Sequence, residues 1–284
     1  MKLTSSKGLV LRSPREIAKM RMAGLVVWEA HQAAARRLAP GVTTGELNQA
    51  IRETFERYQA HPLFLNYPGN PPFPAESCIS VNEELVHGIP KARRLKDGDI
   101  VSIDTGCRVG GWCGDAAVTH RVGTVNPTAE RLLQATQAAL QSAIDTIPVS
   151  RKWSEVARQI ESVVRRAGFH VVDTMVGHGI GKEMHEPPSV PNYYSSQWAQ
   201  HDDFYLKPGL VLAVEPMVNV GTKELKCLKD GWTQIAADHS LSAHFEHTLA
   251  ITETGVRRLT GPPLDDEIER LPDWLRDPSQ WVTW

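Results

Sequence analysis

Two aspartates, Asp104 and Asp115, stand on either side of a Gly110-Gly111 pair that separates two runs of alternating apolar residues. Gly-Gly between such runs signals a two-residue hairpin, because primed turns need positive φ at both central positions. A turn centred there sets Val109 against Trp112 and Gly106 against Asp115. Asp104 shares the face of Gly106 and so lies diagonally across from Asp115, roughly 7 Å away by Cα. Ile103, Ala116 and Val118 mark this as a core sheet. A core sheet does not hold two like charges together without a compensating cation, so one metal ion or a pair is the expected compensator. The plainer alternative is that each aspartate caps a turn.

Three further segments bring donors of the same kind. In Val176-Gly177-His178-Gly179-Ile180-Gly181 the glycines let the backbone and the imidazole of His178 approach a ligand closely. The segment lacks the Gly-Lys-Ser/Thr ending of a nucleotide loop. His185 follows in a proline-flanked stretch that cannot be a regular helix. Glu215 ends the strand expected over Leu210–Val214, where Pro216 stops the ladder. His244–Thr252 alternates as a strand with His244, Glu246 and Thr248 on one face. Two Asp, two Glu and one His at strand ends and turns suit paired Mn, Fe, Co or Zn ions rather than a Cys-bound structural zinc. Two such ions roughly 3.5–4 Å apart activate a shared water and clamp both sides of a cleaved bond, so hydrolysis is the expected chemistry.

The elements that must hold these donors read as two similar halves. Ser13-Pro14-Arg15-Glu16 supplies an N-cap, a proline at the first helical position and a glutamate at N3, opening a helix to about Arg37. Thr43 and Glu46 form a second capping box before a helix with Leu47, Ile51, Phe55 and Tyr58 on its apolar face. The grammar returns with a helix from about Asn126-Pro127 to Pro148 and another carrying Glu155, Val156, Ile160 and Val164, ending at Gly168. Each helix pair then gives way to strand-rich sequence, which predicts an α+β protein of two pseudo-symmetric helix-pair-plus-sheet halves, with the site at their seam. Between them, His61–Glu76 is a rigid loop rich in proline, glycine and aromatics, suited to the wall of a small apolar pocket. A strand over Cys78–Val81 leads to His87-Gly88, in which a lone histidine is unremarkable by itself.

Composition excludes several functions. The 284 residues are 41% hydrophobic with a net charge of -2, and Lys and Arg are scattered, which leaves no electrostatic footprint for nucleic acid or an anionic membrane. No apolar run approaches a membrane span, and no secretory signal segment opens the chain, so a cytoplasmic protein is expected. Cys78, Cys107, Cys113 and Cys227 show no CxxC pairing, in keeping with a reducing compartment.

Taken in order, Ser13-Pro14-Arg15-Glu16, Cys78-Ile79-Ser80-Val81-Asn82-Glu83, His87-Gly88-Ile89-Pro90, Ile103-Asp104-Thr105-Gly106, Gly177-His178-Gly179-Ile180-Gly181, Val214-Glu215-Pro216-Met217 and Phe245-Glu246-His247-Thr248 resemble the type I methionine aminopeptidases, metallopeptidases of the pita-bread fold. The resemblance covers roughly Ser13–Thr260. It implies two divalent ions (Co, Mn, Fe or Zn), with Asp104 on one, His178 and Glu215 on the other, and Asp115 and Glu246 bridging. It also implies that His87 hydrogen-bonds the scissile amide region, that His185 contacts the substrate carbonyl, and that Glu215 shuttles the proton of the attacking water. Tyr67, Phe73, Cys78, Met184 and Trp232 would line the methionine pocket. The chain departs from the family pattern at Met184, where a bulkier residue is usual, at the longer loop before Cys78, and at His244, where Gln is common. The short interval from His185 to Glu215, and the lack of a zinc-finger extension before Ser13, point to the short bacterial-like form.

The expected organisation is a catalytic domain over residues 13–260, a lead-in over 1–12 and a tail over 261–284. The implied activity is removal of the initiator methionine from nascent chains with a small second residue, by a monomer with transient ribosome contact. Two alternatives share the fold: a proline-specific peptidase, which typically carries a large extra N-terminal domain, and a catalytically inactive binding homologue, which would have lost ligands. The tail, with Asp265-Asp266-Glu267 and Trp274, Trp281 and Trp284, is expected to fold back on its own domain, with partner docking the alternative.

Overall fold

Four capped helices set the frame. In the computed structural model, which describes residues 8–269 and 271–283, α1 spans Pro14–Arg37 and α2 spans Thr44–Arg57. Both begin with the expected reciprocal boxes: Ser13 N–H donates to Glu16 Oε2 at 2.8 Å and Thr43 N–H to Glu46 Oε2 at 2.7 Å. α3, Pro127–Thr146, is capped by Asn126, whose side chain accepts from Ala129 N–H at 2.9 Å. Its last turn tightens into a 3-10 turn over Ile147–Val149 around Pro148. α4, Trp153–Arg166, ends at Gly168, which turns the chain at φ +83°.

Each helix pair covers its own sheet. Val27, Leu47, Ile51 and Phe55 of α1 and α2 share one core with Ile79, Val101, Ile103 and Ala116. Leu132, Leu140, Val156 and Ile160 of α3 and α4 share another with Leu212, Val214, Phe245 and Leu249. The first sheet is built on the hairpin Ile100–Val109 and Trp112–Arg121, in the expected register of Val109 with Trp112 and Gly106 with Asp115. Gly110 and Gly111 carry the turn at φ +56° and +80°. Ser77–Val81 pairs on its other side, setting Cys78 against Asp104. The second sheet is five-stranded and antiparallel, with Gly177–Gly179 and His247–Thr252 flanking Val211–Val214. The architecture is the expected α+β one of mixed helices and antiparallel sheets.

One expected strand is interrupted. His244–Thr252 is not continuous: Ser242–His244 pairs with Met217–Asn219, whereas His247–Thr252 pairs with Val211–Val214. Phe245-Glu246 lies between them, opposite Glu215-Pro216, so both strands leave the ladder at the same level. Pro216 has no N–H to donate, which removes the rung that would have kept them regular. The result frees both glutamates from the pleat.

The two halves meet along Asp115–Thr119 and His244–Thr248. Thr248 Oγ1 donates to Asp115 C=O at 2.8 Å and accepts from Asp115 N–H at 3.1 Å. Glu246 N–H donates to Ala117 C=O at 2.8 Å, and Thr119 Oγ1 donates to His244 C=O at 2.8 Å. On the outside of α1, the described part of the tail folds back as expected. Trp28 forms a cluster with Leu271 and Leu275, and its ring meets Trp281 edge-on at 5.1 Å. Arg36 lies 4.6 Å over Trp274, and the buried Arg21 holds Glu267 at 2.7 Å. Trp284 lies outside the described residues, as do positions 1–7 of the lead-in.

Two outcomes are expected. Thr248→Val leaves the buried N–H and C=O of Asp115 without that hydroxyl, and should lower unfolding free energy in urea by about 1–3 kcal/mol. The second concerns acid. Burial holds His31 down to about 4 and His120 down to about 3, from an ordinary 6.5. Below about pH 6.5 the unfolded chain therefore binds protons that the native state refuses, so stability falls as pH drops toward 4. Thermal midpoints measured between pH 7 and pH 4.5 should decline, and the decline should be shallower in His31→Gln.

Candidate metal centre and cleft

The register of the hairpin decides the first donors. Gly106 faces Asp115, and a Cβ on Gly106 would stand only 2.9 Å from Asp115 Oδ1. The glycine is what gives that carboxylate room. Across the seam, Gly177 has no space for a side chain either, since a Cβ there would reach 2.3 Å from Ala213 C=O. This close approach puts His178 beside Ala213 in the ladder, one pair from the break at Glu215. His178 Nδ1 lies 2.9 Å from Gly179 C=O, an acceptor, so Nδ1 carries the proton and Nε2 presents a bare lone pair. That nitrogen is 3.6 Å from Glu215 Oε1.

A cleft of about 260 Å³ brings the expected residues together. Asp104, Asp115, His178, Glu215 and Glu246 line it, as do His87, His185, Tyr67, Phe73, Cys78, Met184 and Trp232. Within it, Asp115, His178 and Glu246 offer ligand atoms all within 4.8 Å of one another, and Glu215, His244 and Glu246 form a second such triad. The two triads share Glu246. Asp104 belongs to neither, but its charge raises Glu246, and the charges of Asp115 and Glu215 raise its own carboxyl.

Electrostatics makes the same point. Burial and mutual repulsion push Asp104, Glu215 and Glu246 well above the ordinary carboxyl range, and burial raises Asp115 to about 7. Oδ1 of Asp104, Oδ1 of Asp115 and Oε1 of Glu246 are buried, with no hydrogen-bond partner among the described residues. Four carboxyl groups so placed need protons or cations as partners, and oxygens with imidazole are the donor set that divalent ions of the Mn-to-Zn series take. The residues fit a metal centre.

Beside it lies an apolar recess. Phe64, Phe73, Ala75, Cys78 and Met184 are buried together, and the Trp232 ring meets Phe73 edge-on at 5.3 Å. Trp232 N–H donates to Pro71 C=O at 2.7 Å, which fixes the indole against the proline-rich loop. At the mouth, Tyr67 O–H and His185 Nδ1 are 2.8 Å apart. Burial lowers both His87, to about 4, and His185, so both imidazoles are neutral near pH 7. Sequence reasoning placed Phe64 in the loop that walls the pocket, but overlooked Val86, Met175, Val176 and Met217 as cleft walls, which are apolar residues like any others in their segments.

Fold and donor set together define a metal-dependent hydrolase built at the joint of two antiparallel sheets. Residues 18–253 match metallopeptidase family M24, and the chain belongs to that family. It is 41% identical over 252 residues to methionine aminopeptidase 1 of Bacillus subtilis, a match covering 89% of this chain and 99% of that one. Among solved structures it is similar to a methionine aminopeptidase from Thermotoga maritima, with a TM-score of 0.84 and 38% identity over 89% of this chain and 99% of the other. A prolidase from Pyrococcus horikoshii shares the fold at a TM-score of 0.69 and 21% identity, over 90% of this chain and 64% of that one.

Because Asp115 depends on the empty space opposite it, Gly106→Ala should displace that carboxylate while leaving the hairpin paired. The expected result is a roughly 10- to 100-fold weaker affinity for zinc, read by competition with a chromophoric chelator.

Proposed function

We propose that this protein is a methionyl aminopeptidase, removing the N-terminal methionine of peptides and nascent chains whose second residue is small. The observation that carries this reading is the junction of a carboxylate-imidazole cluster with a closed recess of sulfur and aromatic side chains, in one cleft. An unbranched thioether suits that recess.

Asp104, Asp115, His178, Glu215 and Glu246 would hold two divalent ions. When bound, these supply a water of lowered pKa and polarise the scissile carbonyl. The chain's own groups do the rest. Phe73, Cys78, Met184, Tyr67 and Trp232 hold the methionine side chain and exclude water from it. With Tyr67 O–H as the donor to His185 Nδ1, the proton of that neutral ring stands on Nε2, as a donor to the substrate carbonyl and to the oxyanion that develops from it. His87, beside Trp232, hydrogen-bonds the scissile amide region. Glu215 accepts the proton of the attacking water and returns it to the leaving amine. On this reading the protein acts in the cytoplasm as a monomer in transient contact with the ribosome.

The test uses metal-stripped protein with Mn, Co, Fe or Zn added back and a Met-Ala peptide, with Asp104→Ala in parallel. Release of free methionine should depend on the metal and fall to background in the variant. Cleavage of Ala-Pro but not of Met-Gly-Met would instead assign a proline-specific peptidase, and no release with any ion would leave a binding protein.

A further inference from the structure

His244 takes no part in the mechanism above, yet it is the most deeply placed imidazole of the cleft. Its side chain is 2% exposed, and among the described residues neither ring nitrogen has a hydrogen-bond partner. The backbone around it is fully engaged: its N–H donates to Thr119 Oγ1 at 2.9 Å and its C=O accepts from the same hydroxyl at 2.8 Å. The ring is therefore held at a fixed place, with nothing in the protein to satisfy it. A buried imidazole in that condition is unusual, since a lost partner carries the full desolvation penalty.

Its nearest polar neighbour explains the placement. His244 Nε2 is 3.5 Å from Glu215 Oε2, while His178 Nε2 is 3.6 Å from Glu215 Oε1. These separations are long for hydrogen bonds. They match the edge of a coordination polyhedron, because two donors bound tetrahedrally to one ion at about 2.0–2.1 Å lie roughly 3.3 Å apart. The two triads divide the imidazoles evenly, His178 with Asp115 and Glu246, His244 with Glu215 and Glu246.

We propose that His244 is a metal ligand, through Nε2, so that the centre holds two imidazoles, His178 and His244, on either side of Glu215. A second nitrogen donor in place of an oxygen moves the preference of the centre away from Mn and toward Co and Zn. The inference rests on the functional reading above in needing a metal centre, but not on the substrate.

Paramagnetic proton NMR of the full chain loaded with two equivalents of Co tests it. Each coordinated imidazole contributes one strongly shifted, solvent-exchangeable ring N–H signal. Two such signals are expected, and His244→Gln should lose one while keeping that of His178. In chelator competition, the ratio of Zn to Mn affinity should fall about 10-fold or more in His244→Gln and in His244→Asn. A single shifted N–H in the unaltered protein, with an unchanged Zn-to-Mn ratio in both variants, would overturn the proposal while leaving the aminopeptidase reading intact. Failure to bind Co at all would overturn both. The unaltered protein's spectrum decides the matter even if the variants do not fold.

Discussion

Four carboxyl groups held together away from water repel one another, and the rest of this structure is arranged around that repulsion. Each acid comes from a different place in the chain: two from the strands of one hairpin, one from the end of a strand in the other half, and one from a break between two strands. None of these segments could carry its acid in an ordinary ladder position without a partner. The fold answers by making the seam rigid through neutral groups. Threonine hydroxyls and backbone amides join the halves, so the charges are positioned without being satisfied. Unsatisfied but immobile oxygens are what a divalent ion requires, since little reorganisation accompanies its binding.

The same division of labour separates the cleft into a floor and a wall. The floor is built from sheet, where pairing fixes positions to a fraction of a residue. The wall is built from the proline- and aromatic-rich loop, tied by the Trp232 indole to Pro71 C=O. Tyr67 spans the two, reaching from the loop to His185. Recognition of an apolar side chain tolerates a loop because dispersion contacts are forgiving of small displacements, whereas ligand geometry is not.

Much of this was legible in the sequence for local reasons. The hairpin register came from two glycines, and with it the pairing of Gly106 with Asp115; the four helices came from their caps and breakers. The five donors and the pocket residues named from the family resemblance all line one cleft, although their individual roles belong to the functional proposal. What alternation could not show was the simultaneous break at Phe245-Glu246 and Glu215-Pro216. It depends on two strands far apart in the chain leaving regular pairing at one level, with the same register kept on either side, and only one of them contains the proline. Reading His244–Thr252 as one strand correctly put His244 and Glu246 near each other, but missed that Glu246 stands outside regular pairing while His244 ends the pairing with Met217.

The clasp of the tail on α1 bears on how the chain is made. α1 is made well before the residues that cover its outer face, for Trp28 meets Leu271, Leu275 and Trp281, more than two hundred residues further on. Arg21 on the same helix likewise precedes Glu267 and the carbonyls of Leu259 and Gly261. Until those residues are made, Trp28 and the Arg21 guanidinium have only water and the rest of the growing chain to meet. Glu246 lies just before the tail in sequence, so the donor cluster and the cover over α1 are completed close together as the chain is made.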